Sequence, residues 1–286
     1  MTIVDAHHHL WDLRVRDQEW ISGDELAPLR RSFLLPEFER EALAAGVTAT
    51  VLVQTVTVAE ETPEFLALAA DSRVIGAVVG WTDLTSPGVG DELARLRSLP
   101  GGGFLRGIRH QVQSEDDPEW LTRPEVLRGL RAVAAAGLVY DLVILPQQLP
   151  AATRAAAAVP HLTFVLDHLG KPAIAAGQRE PWAEYVRELA ALPNTVCKLS
   201  GMLTEADWAA WTVEGLQPYA DTVLDAFGPR RLMFGSDWPV STLAASYGEV
   251  VAASRELTAA LSAAEQQEVW AGTARHIYRI EADGSR

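Results

Sequence analysis

Eight short runs of β-branched and apolar residues alternate along this chain with longer segments of helical pattern. A strand followed by a helix is the repeating unit of a parallel sheet, because the helix carries the chain back to the start of the next strand. Eight such units predict a (β/α)8 TIM barrel, formed as a single domain over residues 1–286. The predicted strands are Thr2–Ala6, Val47–Gln54, Val74–Trp81, Phe104–His110, Val139–Leu145, Leu162–Asp167, Thr195–Ser200 and Leu232–Ser236.

Proline near the start and glycine just past the end are common punctuation of a helix, and several intervening segments carry it. An open, doubly wound sheet is the alternative fold, but no G-x-G-x-x-G motif follows the first strand. The predicted helices are Leu35–Ala45, Pro63–Ser72, Gly90–Ser98, Pro124–Ala136, Leu149–Val159, Pro181–Leu192, Gly215–Phe227 and Ser262–Tyr278.

Charge and cysteine content exclude several classes of function. The chain has 24 basic and 38 acidic residues, a formal charge of −14 that disfavours nucleic acid or an anionic membrane as partner. The chain has a single cysteine, Cys197, and one cysteine excludes a disulfide framework within the chain. Because Cys197 lies in the seventh predicted strand, we expect it to pack in the interior. No signal-like segment opens the chain, and its apolar runs are too short to span a bilayer, so we expect a cytoplasmic protein.

The first predicted strand ends in three successive histidines. Side chains two residues apart on an extended segment point to the same side, so His7 and His9 can converge while His8 points away. One histidine at such a place commonly satisfies a core hydrogen bond. Two at this spacing, at the mouth of a barrel, favour ligation of a metal ion.

Two further polar residues follow later strands. His168 comes after the sixth predicted strand and Asp237 after the eighth. Asp237 alone would be interpreted as a turn aspartate before Trp-Pro. Together with His7 and His9 these residues form a set of three nitrogens and one oxygen, which suits one divalent metal ion, zinc before calcium or magnesium.

Six segments in order carry a resemblance to a known family. They are Asp-Ala-His-His-His (5–9), Val-Gly-Trp-Thr-Asp-Leu (79–84), Leu-Arg-Gly-Ile-Arg-His (105–110), Asp-His-Leu-Gly-Lys-Pro (167–172), Cys-Lys-Leu-Ser-Gly (197–201) and Phe-Gly-Ser-Asp-Trp-Pro (234–239). This pattern resembles the amidohydrolase superfamily, and within it the amidohydrolase-2 branch of L-fuconolactonase-like sugar lactonases and 2-pyrone-4,6-dicarboxylate lactonases. The resemblance spans essentially the whole chain.

The resemblance implies a hydrolase that opens a lactone with an activated water. Asp237 would be the base, with His168 and His110 as the other catalytic residues. Binuclear members of the superfamily carry a histidine on the fifth strand, which is absent here, so a two-metal centre is not expected. Some members of the lactonase branch work without metal, so a hydrogen-bonded cluster around a water stays an alternative to the metal site.

Residues at other strand tips are candidates for substrate binding. Arg109, Lys171 and Lys198 are cations, and the resemblance implies that Lys171 meets oxygen atoms of the substrate. A solvated surface charge is the commonest fate of such residues. Tryptophan faces bind the apolar sides of sugar rings but also fill cores. Three lie at strand mouths: Trp11, Trp81 and Trp238.

Three functions remain open at this stage. The favoured one is hydrolysis of a neutral sugar lactone, a small-molecule substrate, because the strand tips supply few arginines for a dicarboxylate. The second is non-oxidative decarboxylation of an aromatic or muconate-type acid, and the third is a non-catalytic barrel that binds sugar acids. The protein is expected to be a monomer or a homodimer.

Overall fold

The computed structural model describes residues 2–281, and the predicted (β/α)8 barrel is confirmed. Its eight strands form one parallel sheet in which each strand pairs with the next along the chain. All eight predicted strands are present, with bounds that differ by a few residues. They are β1 (Ile3–His8), β2 (Val47–Val53), β3 (Ile75–Gly80), β4 (Leu105–His110), β5 (Val139–Leu142), β6 (Phe164–Leu166), β7 (Thr195–Leu199) and β8 (Leu232–Phe234).

Helices cover the outside of the barrel. None of those within residues 2–281 is long and apolar enough to cross a membrane. They are α1 (Leu35–Ala44), α2 (Glu61–Asp71), α3 (Val89–Ser98), α4 (Pro124–Ala135), α5 (Leu149–Ala158), α6 (Trp182–Ala190), α7 (Met202–Glu205), α8 (Val213–Phe227), α9 (Tyr247–Leu257), α10 (Ala263–Gln267) and α11 (Thr273–Tyr278).

The helix prediction was wrong in three places. The four-residue helix α7 was not predicted. The last predicted helix is divided, because a π-helical turn over Glu268–Gly272 separates α10 from α11. Helix α9 was missed, although Ser246 and Glu249 form a reciprocal capping box at its start. Serine followed three residues later by glutamate is a sequence signal for a helix N-terminus.

The barrel interior changes from apolar to charged along its axis. Residues two apart on a strand face the same side, so Val139 and Asp141 on β5 both point inward, as do Val196 and Lys198 on β7. The valines belong to an apolar cluster inside the barrel. The charged side chains form the layer above it, toward the carboxyl ends of the strands, where active sites of this fold lie.

The barrel closes at a seam between β1 and β8. A single bridge joins His8 to Trp238, and the buried carboxylate of Asp5 accepts hydrogen bonds across the seam. Its donors are the Ser236 amide at 2.8 Å, the Ser236 hydroxyl at 2.6 Å and the Tyr247 hydroxyl at 2.8 Å. The seam therefore depends on side-chain hydrogen bonds as well as on the strand ladder.

Candidate active site

A cavity of about 780 Å³ opens at the carboxyl ends of the strands. That volume is within the usual range for pockets that bind small molecules. Loops after several strands contribute to its walls, and among the residues that line it are His9, Arg109, His168, Lys171 and Asp237.

Three imidazoles surround one carboxylate oxygen at the floor of this cavity. Asp237 Oδ1 lies 3.8 Å from His7 Nε2, 3.6 Å from His9 Nε2 and 3.7 Å from His168 Nε2. The predicted convergence of His7 and His9 is confirmed, because their Nε2 atoms are 3.1 Å apart. His8 points away, as predicted, and stacks on Phe38.

A left-handed turn brings His168 and Lys171 to the cavity. Four successive residues, 168–171, have φ between 52° and 73°, a conformation that costs roughly 1–2 kcal/mol per non-glycine residue. The Lys171 amide donates to the His168 carbonyl at 2.8 Å, and the buried Trp182 indole donates to the Leu169 carbonyl at 2.7 Å. Packing and these bonds hold a backbone that local preference opposes.

Two glycines leave room for the imidazoles. A Cβ on Gly201 would lie 2.6 Å from His168 Nδ1, and one on Gly235 would lie 2.8 Å from His7 Cβ. Both contacts are shorter than non-bonded atoms tolerate, so these positions need glycine for close approach. Ser200, beside Gly201, completes the placement of His168 through a 2.9 Å hydrogen bond to Nδ1.

The carboxylate of Asp237 is held in its charged form. Burial raises its pKa, but His168, His9 and Lys171 outweigh burial and hold the pKa below the usual value. Its backbone has φ of 58°, and its amide donates to the His7 carbonyl at 2.8 Å. Asp237 is therefore ionised at neutral pH and fixed relative to β1.

The imidazoles are neutral at neutral pH. Burial lowers the pKa of His7, His8 and His9, and lowers that of His168 to about 4. Neutral imidazole is the form that ligates a metal ion or accepts a hydrogen bond from water.

A charged cluster supports this floor from within the barrel. The Lys198 ammonium lies 2.6 Å from Asp141 Oδ2, 3.0 Å from Asp167 Oδ1 and 3.1 Å from His7 Nδ1. Arg109 bridges the cluster to the cavity through Asp167 Oδ2, at 3.0 Å, and its Nη1 lies 3.3 Å from His7 Nε2. Lys198 is fully buried and lies outside the cavity, so the structure places it behind His7 instead of at the mouth.

Two of the predicted substrate-binding residues line the cavity, and the tryptophans do not. Arg109 and Lys171 both face it. Trp11 and Trp238 are buried and pack edge-on against Phe33 in the core. A tryptophan that follows a strand can thus pack in the core beneath the loops. Its position after the strand does not show whether its side chain turns to the core or to the cavity.

His110 also lies outside the cavity, in a separate polar and aromatic cluster. The Trp81 indole donates to its Nδ1 at 3.0 Å, so the imidazole proton is on Nε2, which lies 2.7 Å from Glu115 Oε1. Its ring stacks on Trp120 at 4.3 Å. His110 and Trp81 therefore lie in this separate cluster, away from the imidazole–carboxylate floor.

Sequence reasoning missed the side chains that form the cavity walls. Trp20, in the long loop after β1, and Trp208, after β7, both line the cavity. Trp20 is 37% exposed, and its indole is oriented by a 2.9 Å hydrogen bond to Gln18. Their position in loops after strands was the available signal, because the loops at the carboxyl ends of barrel strands carry the residues that bind ligands.

The donor set at the floor fits one metal ion. Ligand atoms of His7, His168 and Asp237 all lie within 4.8 Å of one another, and all three residues are buried. His9 Nε2 adjoins two of these residues, as described above. Two or three imidazoles with a carboxylate are typical ligands of zinc, and a cavity beside them leaves a coordination position open to water.

Comparison with known proteins identifies the family of the chain. The amidohydrolase family model matches residues 4–280, nearly the whole chain. The chain belongs to the amidohydrolase family.

Relatives in this family are similar over almost their full length. An L-fucono-1,5-lactonase of Burkholderia multivorans is 41% identical, with 97% of this chain and 96% of the relative aligned. An L-fucono-1,5-lactonase of Burkholderia ambifaria is 37% identical over the same shares. The crystal structure of a Burkholderia multivorans amidohydrolase with bound zinc superimposes with a TM-score of 0.91 at 39% identity, covering 98% of this chain and all of that one.

Proposed function

We propose that this amidohydrolase hydrolyses a neutral sugar lactone, with L-fucono-1,5-lactone as the first substrate to test. The observation that carries the proposal is the ionised Asp237, held among three neutral imidazoles at the floor of a cavity of substrate size. The two L-fucono-1,5-lactonases that share most of the chain's length support the same chemistry.

Asp237 would act first as general base. It takes a proton from a water as the water oxygen adds to the lactone carbonyl carbon. The negative charge that develops on the carbonyl oxygen would be stabilised by Lys171, and by Arg109 at the edge of the floor. When the carbon–oxygen bond of the ring breaks, Asp237 returns its proton to the departing alkoxide, and the product is a hydroxy acid.

A divalent ion fits this scheme without changing the roles of the residues. His7, His168 and Asp237, with His9 beside them, would hold it, and when bound it would lower the pKa of a water and polarise the carbonyl. We propose a single ion and zinc as its identity, since nitrogen ligands predominate.

The charge pairing in the cavity favours a neutral ring over a dicarboxylate. The lysine and arginine side chains among its lining residues are Arg16, Arg109 and Lys171, and each already has an anionic partner. Arg109 pairs with Asp167, Lys171 with Glu205 at 3.2 Å, and Arg16 with Glu64 at 2.9 Å. Binding a second carboxylate would require breaking one of these pairs. Hydroxyl groups of a sugar need only the polar atoms and tryptophan faces present.

The deciding experiment is a lactone panel with the purified protein and its Asp237→Asn variant. We expect opening of one or more sugar lactones by the parent and a fall in kcat of at least about 100-fold in the variant, because the amide cannot take the proton. A parent that opens none of the panel while binding a lactone would favour the sugar-acid-binding barrel. Release of carbon dioxide from aromatic acids would favour the decarboxylase, which has less support because both relatives above are lactonases.

Metal removal tests the ion separately. We expect chelation to lower kcat and added zinc to restore it, with zinc binding followed by calorimetry on the parent and on His168→Ala. Full activity after complete removal of metal would contradict the metal-assisted version and leave the lactonase intact.

A further inference from the structure

A buried carboxylate outside the catalytic floor holds one wall of the cavity. Glu61, the first residue of α2, is 1% exposed. None of the ion pairs found within residues 2–281 includes it, and the neighbouring Arg16 guanidinium is bonded to Glu64 instead. Carboxylates are seldom buried without a paired cation, so this one calls for an explanation.

Its hydrogen bonds all go to one loop. Glu61 Oε2 accepts from the Thr55 amide at 2.8 Å and from the Val56 amide at 3.3 Å, and Oε1 accepts from the Thr55 hydroxyl. These residues begin a four-residue segment after β2, Thr55–Val58, every member of which lines the cavity. We name this segment the cavity loop.

The carbonyl groups of the cavity loop are held by different side chains. Gln111 Nε2 donates to the Thr55 carbonyl at 3.0 Å, and Gln54 Nε2 donates to the Val56 carbonyl at 3.1 Å. Glutamine amides do not titrate, whereas a carboxylate does. Of the side chains that tether Thr55 and Val56, Glu61 is thus the one whose hydrogen bonding depends on pH.

We propose that Glu61 is a positioning residue that fixes the cavity loop in its substrate-binding conformation and thereby sets the affinity for substrate without taking part in the chemistry. The proposal rests on the proposed function only where it speaks of substrate. It makes KM, and not kcat, the quantity that Glu61 controls, because the loop is a wall of the cavity and the reacting groups lie on its floor.

The ionisation of Glu61 should make the hold on the cavity loop depend on pH. Burial raises its pKa to about 7, against the opposing effect of its hydrogen bonds and of Arg16. The charged groups around it are Arg16, from the loop after β1, Glu60, which directly precedes α2, and Glu64 on α2. The hydrogen bonds from Thr55 and Val56 keep this pKa lower than burial alone would make it, so they favour the ionised carboxylate. While Glu61 stays buried on its helix, protonation therefore weakens these bonds, and the loop is held less tightly below pH 7.

The test is the pH profile of KM for the parent and for Glu61→Gln. We expect the KM of the parent to rise about fivefold between pH 8 and pH 6, the effect of one weakened hydrogen bond, with kcat changing far less over that interval. Glutamine imitates the neutral acid, so the variant's KM is expected to be flat and close to the parent's value at pH 6. Glu60→Gln, at the exposed residue directly before α2, is the matched control and is expected to follow the parent.

A flat KM profile in the parent, or a profile in Glu61→Gln that still titrates near pH 7, would overturn the proposal. Hydrogen–deuterium exchange of residues 55–58 at pH 6 and pH 8, corrected for intrinsic rates, does not depend on the reaction. Weaker protection at pH 6 in the parent alone supports the role of Glu61, and equal protection contradicts it. If no lactone is opened, the proposed function fails while this measurement still decides the positioning role.

Discussion

The position of His168 depends on a side chain that is missing from its neighbour. Gly201 leaves the space that the imidazole occupies, and its own φ is +65°. Replacing it with alanine is expected to displace His168 and lower kcat/KM by about 100-fold, because sub-ångström placement of reacting groups matters at this magnitude. Steady-state kinetics of Gly201→Ala checks this prediction.

Gly177 offers a matched control. Its φ is +64°, nearly the same backbone strain, but a Cβ there would meet no atom within 4 Å. Gly177→Ala should lose stability to a similar extent and keep its activity. Equal loss of activity in both variants would show that backbone strain, and not contact with His168, is responsible.

Site residues were predictable where alternation along a strand fixed the direction of a side chain. His7 and His9 converge and His8 does not, as the period of two requires. The same rule fails beyond the strand end, where loops turn freely. Trp11 and Trp238 follow strands closely in the sequence yet pack in the core, whereas the cavity wall uses Trp20 from deep within a loop.

Among the elements, the left-handed turn at residues 168–171 is the one most exposed to disruption. Trp182 on α6 is its anchor, through the bond from the indole to the Leu169 carbonyl. Trp182→Phe removes this donor and leaves a buried carbonyl unpaired, which costs about 1–3 kcal/mol. Because His168 and Lys171 sit on the turn, we expect kcat/KM to fall about tenfold as well.

Trp270→Phe separates the two effects. Its indole donates to Thr258 Oγ1 at 3.3 Å, in the core and away from the turn. Chemical denaturation and kinetics of both variants are the measurements, and only the Trp182 variant should lose activity beyond its loss of stability. If activity followed stability alone in both, the turn would have no special part in the site.

Elements were predictable where local signals agreed with their final packing. Strands β2, β3 and β7, for example, are buried and rich in β-branched residues, so their sequence preference and their environment favour the same structure. The left-handed turn could not be predicted, since three of its four residues oppose that conformation. What holds it includes packing and the bond from Trp182 on the next helix, which a local pattern does not show. The break within the last helix likewise has no local signal that periodicity could register.

For the molecule as a whole, the seam between β1 and β8 contributes both to the stability of the barrel and to the placement of the site residues. Tyr247, from α9, donates to the buried Asp5 carboxylate that joins the two strands. Tyr247→Phe is expected to lower the free energy of unfolding by about 1–3 kcal/mol, because a buried carboxylate loses a donor. It is also expected to reduce kcat modestly, since Asp5 holds Ser236 beside Asp237.

Tyr185→Phe is the control for removing a phenolic hydroxyl. No side-chain hydrogen bond of Tyr185 is present within residues 2–281, and this residue lies on α6, away from the seam. In urea denaturation, the free energy of unfolding of this variant should equal that of the parent. A destabilisation equal to that of Tyr247→Phe would mean that the bond to Asp5 contributes nothing specific.

The seam also determines when, during synthesis of the chain, the protein becomes active. The floor joins His7 and His9, at the end of the first strand, to Asp237, which follows more than two hundred residues later. A nascent chain halted before the eighth strand lacks Asp237. The complete site therefore requires the full circle of strands, and two separately expressed halves would regain it only by pairing both at this seam and where the chain was divided.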